Sequence, residues 1–233
     1  MATKILFMAP LFDEVTEYSL RWARAARNSL VGDLDITFLE DSDAKRTQYQ
    51  QHNTPDLKWF VHYDHGSDYV MWGDDELPII DLGNLDSLAG KKVYCMNCSS
   101  GKGLGAHSIE LGIDEYLGYN DVVSFIPEDE EAFMDVFNYG IWAAVNNNLN
   151  LRDIVEEMRT YGYDRAEELR AEGKTFSAAC LVHDMDILHV YYPGSEPPAP
   201  ECPISSLIQR IFGWRGLRLA RRLRQIIRPE KHL

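Results

Sequence analysis

Two stretches decide the fold: Leu57-Lys58-Trp59-Phe60-Val61-His62-Tyr63-Asp64-His65-Gly66-Ser67 and Lys91-Lys92-Val93-Tyr94-Cys95-Met96-Asn97-Cys98-Ser99-Ser100-Gly101. Each is a hydrophobic, strand-like run that ends in a chemically capable residue, His65 or Cys98, with glycine close behind. If the two runs are neighbouring parallel strands, both residues emerge at one carboxyl edge of a sheet, where open α/β folds build their sites. A thiol beside an imidazole is the minimum equipment for nucleophilic cysteine catalysis.

The rest of the chain alternates between strand and helix. Lys4 to Phe12 reads as a buried first strand, Val15 to Leu30 as a helix, and Asp35 to Leu39 as a second strand. A polar helix or loop (Asp43 to His52) precedes the His65 run, and a long excursion (Tyr69 to Gly90) precedes the Cys98 run. Beyond it, Ser108 to Leu117 is expected to be helical and Asp121 to Ile126 a strand. Glu128 to Arg170 reads as two helices split near Asn146-Asn147-Asn148-Leu149-Asn150. Ser177 to Val182 and Ile187 to Tyr192 are expected as closing strands. Such alternation predicts a mostly parallel sheet covered by helices on both faces.

Residues 193–203 hold five of the ten prolines and read as an extended linker, so the folded domain is expected to span residues 1–192. Beyond it, residues 204–233 carry eight Lys/Arg and one acid, Glu230, for a net +7; the preceding 203 residues hold the other 15 basic and 36 acidic groups, a net −21. The overall −14 therefore conceals two electrostatically different pieces, and that net charge argues against a general nucleic-acid binder. Within the tail, Leu207, Ile211, Trp214, Leu217, Leu219, Leu223 and Ile227 alternate with arginines. A basic amphipathic segment over residues 204–228 docks onto an acidic surface, its own or that of an activating protein partner, or lies on an anionic membrane.

Met1-Ala2-Thr3-Lys4 leads directly into the first strand without a secretory pattern, and no run approaches the roughly 18 apolar residues of a membrane span. The expectation is a cytoplasmic protein with its four cysteines reduced. Cys95 and Cys98 have CxxC spacing, but Cys95 lies inside a strand and no second ligand pair is evident, which disfavours redox or zinc chemistry. His62 and His65 fall on opposite faces of their run, so they do not converge on a metal. The polar residues His183, Asp184, Asp186 and His189 read as a hairpin, not as ligands. Ser99-Ser100-Gly101-Lys102-Gly103-Leu104-Gly105 lacks the phosphate-loop pattern. No cofactor or metal is expected.

Parity ranks the two thiols. Residues 94, 96 and 98 share one strand face with 61, 63 and 65, while Cys95 lies on the other face and deeper. Cys98 is therefore the candidate nucleophile and His65 its general acid/base. Gly66 lets a substrate come close to the backbone, and the N–H groups of Gly66 and Cys98 are the candidate oxyanion hole.

At this point Tyr63-Asp64-His65-Gly66-Ser67 and Leu88-Ala89-Gly90-Lys91-Lys92-Val93-Tyr94-Cys95-Met96-Asn97-Cys98-Ser99-Ser100-Gly101 resemble the caspase-like (clan CD) cysteine peptidases, most nearly prokaryotic members of the gingipain and CHAT type. The likeness continues through Gly101 to Gly105, Gly118 to Phe125 and the helix that begins near Ala132. It implies a caspase-like three-layer sandwich and a catalytic dyad at His65 and Cys98. It also implies a protein or peptide substrate selected by one residue before the scissile bond. Asp13 or Glu14, Tyr63 and Met96 occupy the positions that shape that pocket in the family, and a carboxylate there favours Arg or Lys. Animal caspases end this strand Gln-Ala-Cys-x-Gly, whereas here it ends Met96-Asn97-Cys98-Ser99-Ser100-Gly101, so their acidic preference is not implied. A different class of reading keeps the scaffold without catalysis: an inactive adaptor that signals through the basic tail.

Overall fold

The computed structural model describes residues 2–195. Strand β1 (Thr3–Ala9) is stopped by Pro10, which cannot continue a ladder, and helix α1 (Glu14–Ser29) starts on a capping box between Asp13 and Thr16. There follow β2 (Leu34–Glu40), α2 (Arg46–His52), β3 (Leu57–Tyr63) and three short strands, β4 (Gly66–Ser67), β5 (Val70–Trp72) and β6 (Pro78–Asp81). The chain continues with β7 (Lys92–Met96), the short α3 (Ala106–Ser108) and β8 (Glu115–Tyr119). Three long helices, α4 (Glu130–Asn146), α5 (Leu151–Ala171) and α6 (Thr175–Ile187), precede β9 (Leu188–Tyr191).

Six strands form the central sheet in the order β2-β1-β3-β7-β8-β9, all parallel except the edge strand β9. The two opening runs are thus adjacent and parallel, with His62 opposite Cys95 and Tyr63 opposite Met96. Alternation along the strands builds two cores. Val61, Tyr63, Tyr94 and Met96 face α1, α4, α5 and α6, whereas Phe60, Val93 and Cys95 face α2, the small β4-β5-β6 sheet and Leu104. Fully buried aromatics such as Phe7, Phe60, Phe133 and Phe137 dominate the packing, each worth roughly 1.5–3 kcal/mol of burial. The result is a three-layer sandwich.

Three expectations are corrected. Thr175–Ile187 is a helix, not a strand. Its polar and apolar residues are not segregated by face, so no period is legible, yet Ala178, Leu181 and Met185 bury one stripe and Met185 packs into the space left open by Gly162 of α5. The same helix carries His183, Asp184 and Asp186, which therefore form no hairpin. Helix α3 ends at Ser108, and after a turn through Gly112 (φ +76°) the strand here is Glu115–Tyr119, not Asp121–Ile126. The latter segment is irregular because side chains take its backbone donors: Val122 N–H bonds Asp121 Oδ1 (2.5 Å) and Ser124 N–H bonds Asp184 Oδ1 (2.9 Å). Most of the expected linker, from residue 196 on, and the basic tail lie outside the described residues. Among the described residues no helix is long and apolar enough to cross a membrane.

Candidate active site

The chain goes from β1 to β2 on one side of the sheet and returns to place β3 on the other, so a crevice opens beyond the carboxyl ends of β1 and β3. Three loops meet there. The β1–α1 loop brings Asp13, the end of β3 brings His65, and the end of β7 brings Cys98.

The β3–β7 register of 33 residues, which pairs His62 with Cys95, continues past the strands: Asp64 N–H bonds Met96 C=O at 3.3 Å. Carried forward, it would bring His65 level with Cys98 at one edge. Gly66 confirms how closely the loops approach, because a Cβ there would lie 2.7 Å from the Cys98 carbonyl oxygen and 2.9 Å from Asn97 Cγ. No residue with a side chain fits that space.

His65 Nε2 meets Asp13 Oδ2 at 2.9 Å, with Phe12 packed 5.6 Å away between ring centroids. Asp13 also accepts the Thr16 N–H (2.8 Å) as the cap of α1. Partial burial pushes the Asp13 carboxyl up, but Thr16 and His65 more than offset this and hold it below its usual range. Asp13 is thus bound to the histidine and the helix start, whereas Glu14 lies exposed in the first turn of α1. Tyr63 and Met96, expected at the rim of a specificity pocket, turn into the core beneath α1 and α4; Tyr63 is fully buried and its hydroxyl donates to Asn138 Oδ1 (2.8 Å).

Cys98 is half-buried, and its thiol faces the Val123 carbonyl at 3.9 Å, so the irregular Asp121–Ile126 segment forms a wall of the site. Burial pushes the thiol well above its usual value, and Asp184, Asp121 and Asp64 add to the shift. Cys95 is fully buried on the opposite face against Met71, its thiol also pushed up by burial. Ser99, directly after Cys98, has φ +60°, a left-handed conformation that costs a non-glycine residue about 1–2 kcal/mol. It is held by Ser99 N–H to Asp121 C=O (2.9 Å) and Lys102 N–H to Ser99 C=O (3.0 Å). The glycine run is a π-helical turn, Gly101–Gly105, and its glycines serve close packing: a Cβ on Gly103 would overlap the Asp68 carbonyl, which accepts the Leu104 N–H. That turn ties the Cys98 loop to the one leaving His65.

Asp64 and Asp184, to which the sequence assigned no role in the site, are buried carboxyls beside it. Burial raises both well above their usual values, the His65 and Ser124 N–H groups respectively offsetting it only in part. Asp184 Oδ2 has no hydrogen-bond partner. No sequence pattern marked Asp184, since it reaches the site from a helix 86 residues after Cys98. Among the described residues no group of three His, Cys, Asp or Glu side chains is placed to hold a metal ion.

No family model and no curated protein matches the chain. Solved structures do. The crystal structure of the Arg-specific cysteine proteinase gingipain R superposes with a TM-score of 0.51 over 82% of this chain at 11% identity. The complex of Porphyromonas gingivalis RgpB pro- and mature domains gives 0.51 over 82% at 9% identity. The chain spans 46% and 47% of those proteins. Likeness at this identity is one of fold, and the architecture of this chain is the caspase-like α/β sandwich found in gingipain R.

Proposed function

We propose that the protein is a cysteine endopeptidase that uses Cys98 as nucleophile and His65 as general acid/base. The observation that carries this reading is the 33-residue register of β3 and β7, which delivers the two residues to one sheet edge with Gly66 against the Cys98 carbonyl. Asp13, at 2.9 Å from Nε2, orients the imidazole and stabilises its charged form, which assigns proton transfer to Nδ1. The Cys98 thiol gives its proton to His65 as the sulfur attacks the scissile carbonyl carbon. Developing negative charge on the oxygen is met by the Gly66 and Cys98 N–H groups. His65 then protonates the departing amine, and water hydrolyses the thioester to regenerate the thiol.

A basic residue before the scissile bond is part of this proposal, met by a carboxylate at the start of α1. Asp13 is engaged with His65, so Glu14, exposed in the first turn of α1, is the carboxylate proposed to meet it. The raised thiol value favours a resting enzyme that needs activation, for which residues 204–228 are the proposed handle. The same buried thiol also suits the second reading, an inactive scaffold acting through its tail.

Fluorogenic peptides ending in Arg, Lys, Asp and Asn, assayed beside Cys98→Ala, separate the two. Hydrolysis lost in Cys98→Ala and fastest after Arg or Lys supports the peptidase. Equal background for both proteins, with and without residues 204–233 and with no label from a thiol-reactive peptide inhibitor, refutes it.

A further inference from the structure

Behind the dyad lies a second histidine that the proposed chemistry does not use. His62 is fully buried near the end of β3, on the opposite face from His65, with Phe60 stacked against it at 6.4 Å between ring centroids. Both ring nitrogens are engaged. Nε2 lies 2.8 Å from the Trp72 carbonyl oxygen and Nδ1 lies 2.8 Å from Asn97 Nδ2.

The partners fix the tautomer. A carbonyl can only accept, so Nε2 carries the proton; an amide NH2 can only donate, so Nδ1 carries the lone pair. Reversing the Asn97 amide would require an imidazolium in a fully desolvated site, which burial opposes. Asn97 is itself 2% exposed, and its Oδ1 is turned toward Gly66, 3.0 Å from where a Cβ would sit.

Trp72 completes the path. Its N–H donates to the His65 carbonyl at 3.2 Å while its own carbonyl accepts from His62. Hydrogen bonds therefore run without a break from Asn97, the residue before Cys98, through the His62 ring and the Trp72 peptide to the backbone of His65. The two loops that hold the dyad are cross-linked by side chains from inside the sheet.

We propose that His62 and Asn97 are positioning residues, a buried strut that sets the separation of Cys98 and His65. The proposal rests on the reading of Cys98 and His65 as the dyad. Neither residue touches substrate. Their effect is geometric, and displacement of a reacting group by about 1 Å is enough to cost on the order of a hundredfold in rate. Leucine at either position keeps the burial and removes the links. Glutamine at 62 keeps one acceptor and one donor and so can reproduce both.

The test uses the full chain, with two readouts: hydrolysis of an Arg-terminated fluorogenic peptide, and the pH profile of Cys98 alkylation by iodoacetamide followed by mass spectrometry. His62→Leu and Asn97→Leu are expected to lower kcat on the order of a hundredfold with little change in KM, and to give the alkylation profile of His65→Ala. His62→Gln is expected to retain most of the wild-type rate and profile, which a mere packing role would not require. Should a leucine variant fail to fold, Asn97→Ser fits the space yet is too short to reach His62, and serves in its place. Leucine variants with wild-type kcat and alkylation profile, or His62→Gln as impaired as His62→Leu, overturn the strut. His65→Ala that keeps the wild-type profile overturns the dyad itself and the strut with it. If no peptide is cleaved, the alkylation profiles decide alone.

Discussion

Replacing His62 by glutamine should change how stability depends on pH. Burial holds the His62 ring down to about 4 from an ordinary value of 6.5, with the bond to Trp72 acting the other way and His65 adding to the fall. The unfolded chain binds this proton from pH 6.5 downward, while the folded protein refuses it until about pH 4. A depressed folded value therefore contributes stability that is present above pH 6.5 and lost as the pH falls toward 4. That difference corresponds to about 3 kcal/mol in full, of which about 2 kcal/mol falls between pH 7 and 4.5. His62→Gln has no such group, and the other titrations cancel in the difference between the two proteins. Urea unfolding of both proteins at half-unit steps from pH 7.5 to 4.5 measures it. Wild type should lose about 2 kcal/mol relative to His62→Gln on acidification. A difference constant to within about 0.5 kcal/mol, the scale on which independent sites add, would refute the desolvated neutral imidazole and the tautomer assigned to it.

Gly66→Ala should destabilise by about 1–3 kcal/mol in thermal or urea unfolding, since its Cβ would fall 2.7 Å from the Cys98 carbonyl oxygen and the loops must part to admit it. Asp13→Asn should keep most of the stability, because asparagine caps a helix as well as aspartate, yet lower peptide hydrolysis through the weakened contact to His65; Asp13→Ala should lose about 1 kcal/mol as well. Wild-type hydrolysis by Asp13→Asn, with stability lost only in Asp13→Ala, would show that Asp13 is a cap alone. Asp184→Asn should gain stability relative to wild type as the pH rises from 4 to 8 and speed Cys98 alkylation. The raised Asp184 value means that the wild-type protein loses stability as the unfolded chain ionises first, and the carboxyl adds to the burial that holds up the thiol.

Local pattern marked the elements that the structure places at residues 3–9, 34–40, 57–63 and 92–96 as strands and at 14–29, 130–146 and 151–171 as helices, though not their exact ends, because most have a period, a cap or a break that is written in consecutive residues. Asp13 starts α1 and the asparagine-rich break separates α4 from α5, whereas the first strand, expected to run on to Phe12, stops at Ala9 before Pro10. The same logic failed for Thr175–Ile187 and for residues 115–126. Polar residues such as Ser177 and Asp184 on the buried stripe of the helix and exposed Phe176 off it erase its period, and a β-branched run loses its ladder when Asp121 and Asp184 take its N–H groups. The final strand was correctly expected near Tyr191.

The candidate site divides in the same way. Parity along two strands, visible in the sequence, put His65 and Cys98 together and Cys95 elsewhere, since alternation of side chains is a property of any extended chain. That the two strands are neighbours, and paired with a 33-residue offset, is a matter of sheet order and belongs to the tertiary structure alone. So are the roles of residues that arrive from afar. Asp13 reaches His65 from 52 residues away, Asp184 approaches from a helix, and Tyr63 and Met96 withdraw into the core because their strand face is covered by α1 and α4. The sequence by itself determined which residues stand at the ends of which elements. Their distances, and with them the His62–Asn97 strut and the state of the Cys98 thiol, arise only when packing sets loops from three strands against one another and removes the water between them.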